Sequence, residues 1–297
     1  MNNVIHDKAL NFETRFVNAA VSRGFHVTES TFLNRRKEHV HFLSISKTSS
    51  HSTAVFVHGT GNDLFFPYVD LYNSLLANGY NVFAFDICGH GRQSSSTLDP
   101  QGLEECLVDA MEQAKNHISG DLPFFLVGHS LGGAIVLNTM AKNNLQVAKA
   151  VVIGVPLRIS VNFKTAMPEL LSFIHPNFLM ATKIYGIDVI PAFGRFRRDT
   201  YPIRTQEHQT RALSYVKYVN AAIRKWDLIN AAKKVACPTL YVYGSYDMIS
   251  PVSVGRDLCQ NTSLGDLYVV PFANHLVTVL SSKAHEAIAQ WLLGGKK

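Results

Sequence analysis

The sequence of 297 residues contains no long hydrophobic run. Residues 1–20 interleave charged and amide side chains with apolar ones, so they lack the continuous apolar segment of a secretory signal peptide. No later stretch approaches the roughly 20 apolar residues that are needed to cross a bilayer. We therefore expect a soluble, cytoplasmic protein that makes at most peripheral contact with membranes or lipids.

The sequence also lacks the short motifs that bind nucleotides and metals. Neither a Gly-x-Gly-x-x-Gly sequence nor a Walker sequence occurs, and no Cys and His residues are spaced as zinc ligands. We accordingly predict a protein without a metal and without a cofactor. The cysteines form no Cys-x-x-Cys pair, and reduced structural thiols are expected at all four positions, Cys88, Cys106, Cys237 and Cys259.

The formal charge of +6 raises the question of a nucleic-acid or membrane partner. The basic residues at 35–37 lie in a short connection and those at 296–297 in a tail, where a solvated surface is the ordinary explanation. A third group, at 195–198, could attract anionic substrates or lipid headgroups, although a solvated face is favoured there as well. We predict a small-molecule substrate and no nucleic-acid partner.

Strand-like and helix-like segments alternate along most of the chain. Helical spacing is clearest over Asp63–Gly79 and Leu103–Ile118. This alternation predicts an α/β fold with a mostly parallel sheet covered by helices on both faces. The first two strands are joined by residues 34–38, too short for a crossover, so they should form an antiparallel hairpin at one edge. Strands are predicted near 27–34, 39–46, 53–58, 80–86, 123–128, 149–155, 238–244 and 267–272.

The segment Gly128-His129-Ser130-Leu131-Gly132 carries a Gly-x-Ser-x-Gly pattern. It follows the apolar run 123–127 and opens a helix-like stretch, which puts Ser130 at a sharp strand-to-helix turn. The two glycines are required because the serine backbone is strained there, and a neighbouring side chain would collide with the adjoining strand or helix. This arrangement is typical of the nucleophile elbow of a serine hydrolase.

The remaining groups of such a site follow along the chain. A serine hydroxyl is a poor nucleophile at neutral pH unless a base and an acid assist it. Asp247 follows the strand-like run 239–243, and His275 follows the last strand-like run. The chain order Ser, Asp, His differs from the orders of chymotrypsin-like and subtilisin-like enzymes. Upstream, the apolar strand 53–57 is followed by His58-Gly59-Thr60-Gly61, which resembles an oxyanion loop.

With these motifs the chain resembles an α/β-hydrolase over roughly residues 50–295. It is most similar to the branch that holds monoglyceride-lipase-like lipases, carboxylesterases and serine aminopeptidases. The resemblance implies the α/β-hydrolase fold with an eight-stranded, mostly parallel sheet. It also implies five roles: Ser130 as nucleophile, His275 as general base and acid, Asp247 as the group that orients the imidazole, and the backbone N–H groups of Thr60 and Leu131 as oxyanion donors.

Asp86 is a second carboxylate at the end of a predicted strand. The family tends to show Asp-x-Arg-Gly-His-Gly-x-Ser there, and this chain departs from that pattern at Cys88 and Gln93. We expect Asp86 to tie down the glycine-containing loop that follows it rather than to relay charge to a histidine. Structural roles are also expected for His58, which should brace the oxyanion loop, and for His129, which fills the variable position of the elbow.

One connection is too long for a single crossover helix. The number of residues between the sixth and seventh predicted strands is much larger than the roughly few dozen that a parallel crossover needs. We expect the excess, residues 156–222, to form a helical cap inserted into a core of residues 1–155 and 223–297. Its apolar first half supplies Phe173 and Phe178 as candidate substrate-binding residues, although packing the cap onto the sheet also needs such side chains.

The function predicted from the sequence is hydrolysis of carboxylic esters, of the lysophospholipase or monoacylglycerol-lipase kind, through a Ser-His-Asp triad and an acyl-enzyme. Thioesterase, amidase, aminopeptidase and perhydrolase activities use the same groups and stay open. An aminopeptidase would also need cap carboxylates, for which Glu169, Asp199 and Glu207 are the candidates. Haloalkane dehalogenases and epoxide hydrolases are disfavoured because they carry aspartate at the position of Ser130. A non-catalytic ligand-binding relative is the alternative from another class.

Overall fold

The computed structural model describes eight segments of the chain. The segment predicted as a cap lies mostly outside them, so the cap boundaries remain a prediction. Side chains are described in these segments except at 204–205, 208–209 and 212–218. The described residues are 13–60, 62–92, 100–118, 122–143, 145–158, 204–205, 208–209 and 212–294.

A single eight-stranded sheet forms the centre of the fold. In chain order the strands are β1 (His26–Leu33), β2 (His39–Ser46), β3 (Ser52–Val57), β4 (Tyr80–Phe85), β5 (Phe124–His129), β6 (Lys149–Ile153), β7 (Arg204–Thr205), β8 (His208–Gln209), β9 (Thr239–Gly244) and β10 (Gly265–Val270). Within the described segments β7 and β8 form a separate two-stranded sheet, and the other eight strands form the central sheet in the order β1-β2-β4-β3-β5-β6-β9-β10. The pairs β1–β2 and β2–β4 are antiparallel, and the remaining pairs of this sheet are parallel. The predicted mostly parallel sheet with an antiparallel hairpin at one edge is confirmed.

Helices lie in the connections between the parallel strands, before β1 and after β10. In the described part of the chain they are α1 (13–22), α2 (Val69–Ala77), α3 (Pro100–His117), α4 (Leu131–Lys142), α5 (Ala212–Trp226), α6 (Leu228–Lys234), α7 (Val252–Asn261), α8 (His275–Leu280) and α9 (Ser282–Leu292). None of these helices combines the length and the hydropathy required to span a membrane.

The central strands are buried on both faces, and their side chains alternate between two hydrophobic cores. In β3, Val55 and Val57 belong to one core, whereas Ala54 and Phe56 belong to the other. The first core includes side chains from α3, α4, α6 and α7, and the second includes side chains from α1, α2, α8 and α9. Such alternation with two apolar faces is typical of a parallel sheet between helical layers. Helices therefore cover both faces, as the sequence predicts.

Helix α2 begins later than predicted. The predicted segment starts at Asp63, but Oδ1 of this residue accepts hydrogen bonds from the N–H groups of Phe65 and Phe66, at 2.9 and 2.7 Å, and forms a turn. Pro67 also disfavours helical backbone in the residue before it. The helix accordingly begins only at Val69.

Helix α8 is not predicted from the sequence. It begins at His275, and the Asn274 side chain caps it by accepting a hydrogen bond from the N–H of Val277 at 2.9 Å. Asparagine is among the most favourable residues at this capping position. The helix start fixes the backbone of the predicted catalytic base.

Candidate active site

The candidate site lies at the carboxyl ends of the parallel strands. Ser130 and Leu131 follow β5, Asp247 follows β9, His275 follows β10, and Thr60 lies just beyond β3. Because parallel strands end at the same edge of a sheet, residues that are far apart in sequence meet there. The structure thus brings the five residues predicted for the triad and the oxyanion hole to one edge of the sheet.

Ser130 has a strained backbone, as the predicted nucleophile elbow requires. Its φ is 53° and its ψ is −117°, a combination that costs a residue with a side chain about 1–3 kcal/mol and persists only where neighbours enforce it. The Ser130 N–H donates to the carbonyl oxygen of Ile153 in β6 at 2.8 Å, and its own carbonyl accepts from the N–H of Ala134 in α4 at 3.1 Å. These bonds hold the buried serine between β6 and the helix.

The two glycines of the elbow allow this close approach. A Cβ on Gly128 would lie 2.6 Å from the carbonyl oxygen of Gly132, at the start of α4. A Cβ on Gly132 would lie 2.1 Å from the carbonyl oxygen of Val57, at the end of β3. Both distances are too short for any side chain, which is the collision that the sequence pattern predicts.

Asp247 and His275 form a buried pair. Nδ1 of His275 lies 2.7 Å from Oδ2 of Asp247. Oδ1 of Asp247 accepts hydrogen bonds from the N–H groups of Ile249 and Ser250, at 2.9 and 2.7 Å. Since the carboxylate can only accept, the imidazole donates through Nδ1, and Nε2 is the nitrogen that is able to take up a proton.

Residues at the end of β6 contact both halves of the site. Ile153 binds the N–H of Ser130, as described above, and the next residue is Gly154, with a φ of +56°. A Cβ on Gly154 would lie 3.1 Å from Cε1 of His275 and 3.4 Å from Oδ2 of Asp247. The serine and the Asp–His pair therefore pack against two consecutive residues of one strand end.

The predicted oxyanion loop packs against the elbow. A Cβ on Gly59 would lie 2.9 Å from Nδ1 of His129 and 3.1 Å from Cβ of Ser130. Thr60 is the next residue after Gly59, and Leu131 is the first residue of α4. The N–H groups in the first turn of a helix have no partner within that helix. The two backbone segments that carry the predicted oxyanion donors are thus in contact beside the serine.

Two buried histidines brace this region as neutral groups. Nδ1 of His58 donates to the carbonyl oxygen of Gly59 at 2.9 Å, and its Nε2 accepts from the N–H of Ile87 at 3.0 Å. Burial lowers the pKa of His58. Burial also holds the pKa of His129 well below its usual range, and a positive charge on His275 lowers it further whenever that ring is protonated. These contacts agree with the bracing role expected for His58.

Asp86 anchors two loops. Its Oδ1 accepts from the N–H of Leu64 at 2.9 Å, and its Oδ2 accepts from the N–H of Arg92 at 2.7 Å. Gly91 packs so closely that a Cβ there would lie 2.1 Å from Cγ of Asp86. The carboxylate therefore ties the segment after the oxyanion loop to the glycine-containing loop after β4, in agreement with the structural role that the sequence suggests.

A charged cluster that joins buried and exposed side chains lies next to Asp86. Nδ1 of His41 is 3.1 Å from Oδ2 of Asp86, and its Nε2 is 3.0 Å from Oε1 of Glu29. Arg92 pairs with Glu29 at 2.8 Å and also with Glu13. Burial by itself lowers the pKa of His41, but the hydrogen bonds to Asp86 and Glu29 outweigh burial and raise it to about 9. His41 is therefore charged at neutral pH.

Two residues of the site escape sequence analysis. Gly154 carries one usable signal, since a glycine directly after a buried strand lies at the edge where sites form. Tyr68 carries no signal that separates it from a core aromatic residue, yet its hydroxyl bonds to both Gly59 and His129.

Within the described segments, no group of three or more His, Cys, Asp or Glu side chains is arranged to hold a metal ion. Several residues named from the sequence lie outside the described residues, namely Gly61, Gln93, Glu169, Phe173, Phe178, Asp199 and Glu207.

A comparison with protein families identifies the family of this chain. The family described as serine aminopeptidase, S33, matches residues 48–278, which include Ser130, Asp247 and His275. The chain belongs to this family. Together with the sheet order, the match makes this S33-family chain an α/β-hydrolase.

Relatives of the S33-family chain include peptidases and lipases. It is 25% identical over 251 residues to the proline iminopeptidase of Saccharolobus solfataricus, covering 73% of this chain and 76% of that protein. It is 29% identical over 138 residues to the monoglyceride lipase of Homo sapiens, covering 44% of this chain and 45% of the lipase. A solved esterase of Pyrococcus furiosus has a TM-score of 0.64 at 15% identity, with 91% of each chain covered. The esterase comparison shows a shared fold.

Proposed function

We propose that this chain is a serine hydrolase that cleaves carboxylic esters, in particular esters whose acyl chain is short to medium in length. Ser130 is the nucleophile, His275 the general base and acid, and Asp247 the group that orients the imidazole. The N–H groups of Thr60 and Leu131 bind the oxyanion. The proposal depends above all on the 2.7 Å hydrogen bond between His275 and Asp247, because that bond leaves Nε2 as the proton acceptor for the serine.

The reaction proceeds by acyl transfer in two halves. Nε2 of His275 takes the proton of Ser130 while Oγ attacks the ester carbonyl carbon, and the carbonyl electron pair moves onto the oxygen held by the oxyanion donors. The tetrahedral adduct then expels the alcohol, which receives the proton from His275. Water attacks the acyl-enzyme with His275 again as base, which releases the carboxylic acid and regenerates Ser130.

The electrostatics around His275 support this assignment. An imidazolium forms transiently at His275, and the Asp247 carboxylate, held by three hydrogen bonds, stabilises it. The ring of His129 lies 5.0 Å from that of His275 between centroids. Since burial lowers the pKa of His129, this neighbour stays neutral and does not oppose the positive charge that develops on the base.

Covalent labelling with a fluorophosphonate tests the proposal. Only a serine with a working base and oxyanion hole reacts quickly with this probe. We expect labelling of the peptide that contains Ser130, together with hydrolysis of p-nitrophenyl esters. A folded protein that neither reacts with the probe nor cleaves any ester in a series of acyl lengths would refute the proposal and favour a ligand-binding relative.

Aminopeptidase activity is the second candidate. Its support is the family description, serine aminopeptidase, and the similarity to a proline iminopeptidase. The same Ser130, His275 and Asp247 would act, with additional acidic groups for the substrate's free amine. A comparison of proline p-nitroanilide with its N-acetylated form separates the candidates. An aminopeptidase should cleave only the free amine, whereas an ester hydrolase should prefer p-nitrophenyl esters to both anilides.

A further inference from the structure

The hydroxyl of Tyr68 joins three parts of the candidate site. Tyr68 is fully buried and lies directly before α2. Its Oη accepts hydrogen bonds from the backbone N–H of Gly59 at 2.8 Å and from Nδ2 of Asn62 at 2.6 Å. Nδ1 of His129 lies 2.9 Å from the same oxygen. A phenol oxygen has two lone pairs and one hydrogen, so the two donors occupy the lone pairs and the hydrogen goes to His129.

These partners lie next to the reacting groups. Gly59 directly precedes Thr60, and His129 directly precedes Ser130. The N–H of Asn62 also donates to the carbonyl oxygen of Gly59 at 3.3 Å, so Tyr68 binds two residues, Gly59 and Asn62, that are also hydrogen-bonded to each other. We call Tyr68, Gly59, Asn62 and His129 the Tyr68 clasp. One hydroxyl in this clasp spans from the oxyanion loop to the nucleophile elbow.

The ring and the hydroxyl of Tyr68 have separable tasks. The ring packs on Phe56 of β3, with 4.5 Å between ring centroids, and a phenylalanine ring would fill the same space. A buried hydroxyl costs free energy unless it is hydrogen-bonded. The contribution of the hydroxyl beyond that of the ring therefore lies mainly in the three bonds of the clasp.

We propose that Tyr68 is a positioning residue that fixes the oxyanion donor at Thr60 relative to the nucleophile Ser130. This inference rests on the function proposed above. Oxyanion donors act only when they are held close to the developing charge, and functional groups need to be placed within about 0.5 Å. A misplacement of roughly 1 Å can lower a rate about 100-fold.

Tyr68→Phe tests the proposal, with Tyr72→Phe as its matched control. Tyr72 is equally buried, lies one turn further along α2, and donates its hydroxyl to the carbonyl oxygen of Leu64 at 2.6 Å. Both variants lose one buried hydroxyl, so both should have a lower melting temperature. Only Tyr68→Phe should also lower kcat for an ester by about tenfold or more, with KM nearly unchanged, because alignment matters most in the transition state.

Two further measurements separate positioning from general loosening. An alkyl boronic acid forms a tetrahedral adduct with the serine, so its affinity should fall in Tyr68→Phe by the same factor as kcat/KM. Asn62→Ala removes one donor of the clasp while Tyr68 remains, and a smaller loss of kcat in the same direction is expected. If Tyr68→Phe does not fold, Asn62→Ala provides the test of the proposal.

The outcomes are distinct. Folded Tyr68→Phe or Asn62→Ala protein with kcat and boronate affinity within about twofold of wild type overturns the positioning role. Equal losses of kcat in Tyr68→Phe and Tyr72→Phe also overturn it, because they would reflect a weakened α2. Wild-type protein that resists the fluorophosphonate refutes the proposed function itself, and the role of Tyr68 falls with it.

Discussion

Gly154 lies in direct contact with the imidazole of His275. A Cβ on this glycine would lie 3.1 Å from Cε1 and 3.2 Å from Nδ1 of the ring. The φ of +56° at Gly154 is in addition a conformation that residues with side chains rarely adopt. The glycine requirement at the end of β6 therefore comes from two sources, the backbone turn and the adjacent histidine.

Gly154→Ala should show both effects, a loss of stability from the backbone turn and a loss of activity from the contact with His275. Forcing a side chain into this conformation costs about 1–2 kcal/mol of stability, and displacement of His275 should lower kcat/KM by about 10- to 100-fold. Gly24→Ala is the control, because Gly24 has a φ of +80° and its added Cβ would meet only Nζ of Lys47, at 3.9 Å. It should lose similar stability and keep full activity. Unchanged kcat/KM in Gly154→Ala would contradict the contact with His275.

Ser130→Ala should abolish ester hydrolysis and fluorophosphonate labelling while leaving the melting temperature nearly unchanged. The deleted hydroxyl is small, and loss of a triad serine lowers kcat by about 10⁶-fold in a comparable enzyme. Ser44→Ala removes a similarly buried serine from β2 and should keep full activity. Hydrolysis retained in pure Ser130→Ala protein would show that another residue is the nucleophile.

Asp247→Asn should lower kcat by about 10⁴-fold without unfolding the protein, because an amide in place of the carboxylate favours the wrong tautomer of His275. Asp86→Asn should mainly lower stability, since this carboxylate accepts hydrogen bonds from the N–H groups of Leu64 and Arg92. Steady-state kinetics and thermal melts of both variants provide the check. A larger loss of kcat in folded Asp86→Asn protein would reverse the assignment of the acid.

The charged cluster around His41 should make stability depend on pH. The pKa of His41 is raised from 6.5 to about 9 in the folded protein, so the folded state binds its proton more tightly than the unfolded state does. The resulting stabilisation, on the order of 3 kcal/mol, is fully present below about pH 6.5 and is lost as the pH rises through about 9. The free energy of unfolding, measured by urea denaturation, should therefore decrease over this range.

His41→Gln identifies the source of that decrease. The variant has no titratable group between Asp86 and Glu29, so the stability difference from wild type should be large at pH 6 and should shrink towards pH 9.5. A difference that stays constant across this range would mean that His41 does not hold an extra proton in the folded state.

The predicted cap over residues 156–222 should favour medium acyl chains over acetyl. Each buried methylene contributes about 0.8 kcal/mol to binding, so two or three of them would raise kcat/KM by a factor on the order of tens. A p-nitrophenyl ester series of increasing chain length measures this preference. Phe173→Ala and Phe178→Ala should flatten the series while sparing acetyl ester turnover. A steady fall in kcat/KM from acetyl upward would instead indicate a short-chain esterase or an aminopeptidase.

Much of the fold follows from local pattern. Apolar runs such as 53–57 and 123–127 become β3 and β5 because strands buried on both faces are nearly continuously apolar. The antiparallel hairpin follows from a connection that is too short for a helix. The bounds of α2 and the existence of α8 do not follow from periodicity, because the side chains of Asp63 and Asn274 decide where the backbone turns.

The sequence by itself determined which chemistry was present: a Gly-x-Ser-x-Gly turn, and an aspartate and a histidine after later strands, in hydrolase order. These signals are local, because strain and strand ends are encoded by neighbouring residues. Only the tertiary structure decided that His275 pairs with Asp247, that residue 154 cannot carry a side chain beside them, and that Tyr68 bridges two loops. Those contacts join residues that are far apart in the chain, and their distances depend on how strands and helices pack, which no single segment encodes.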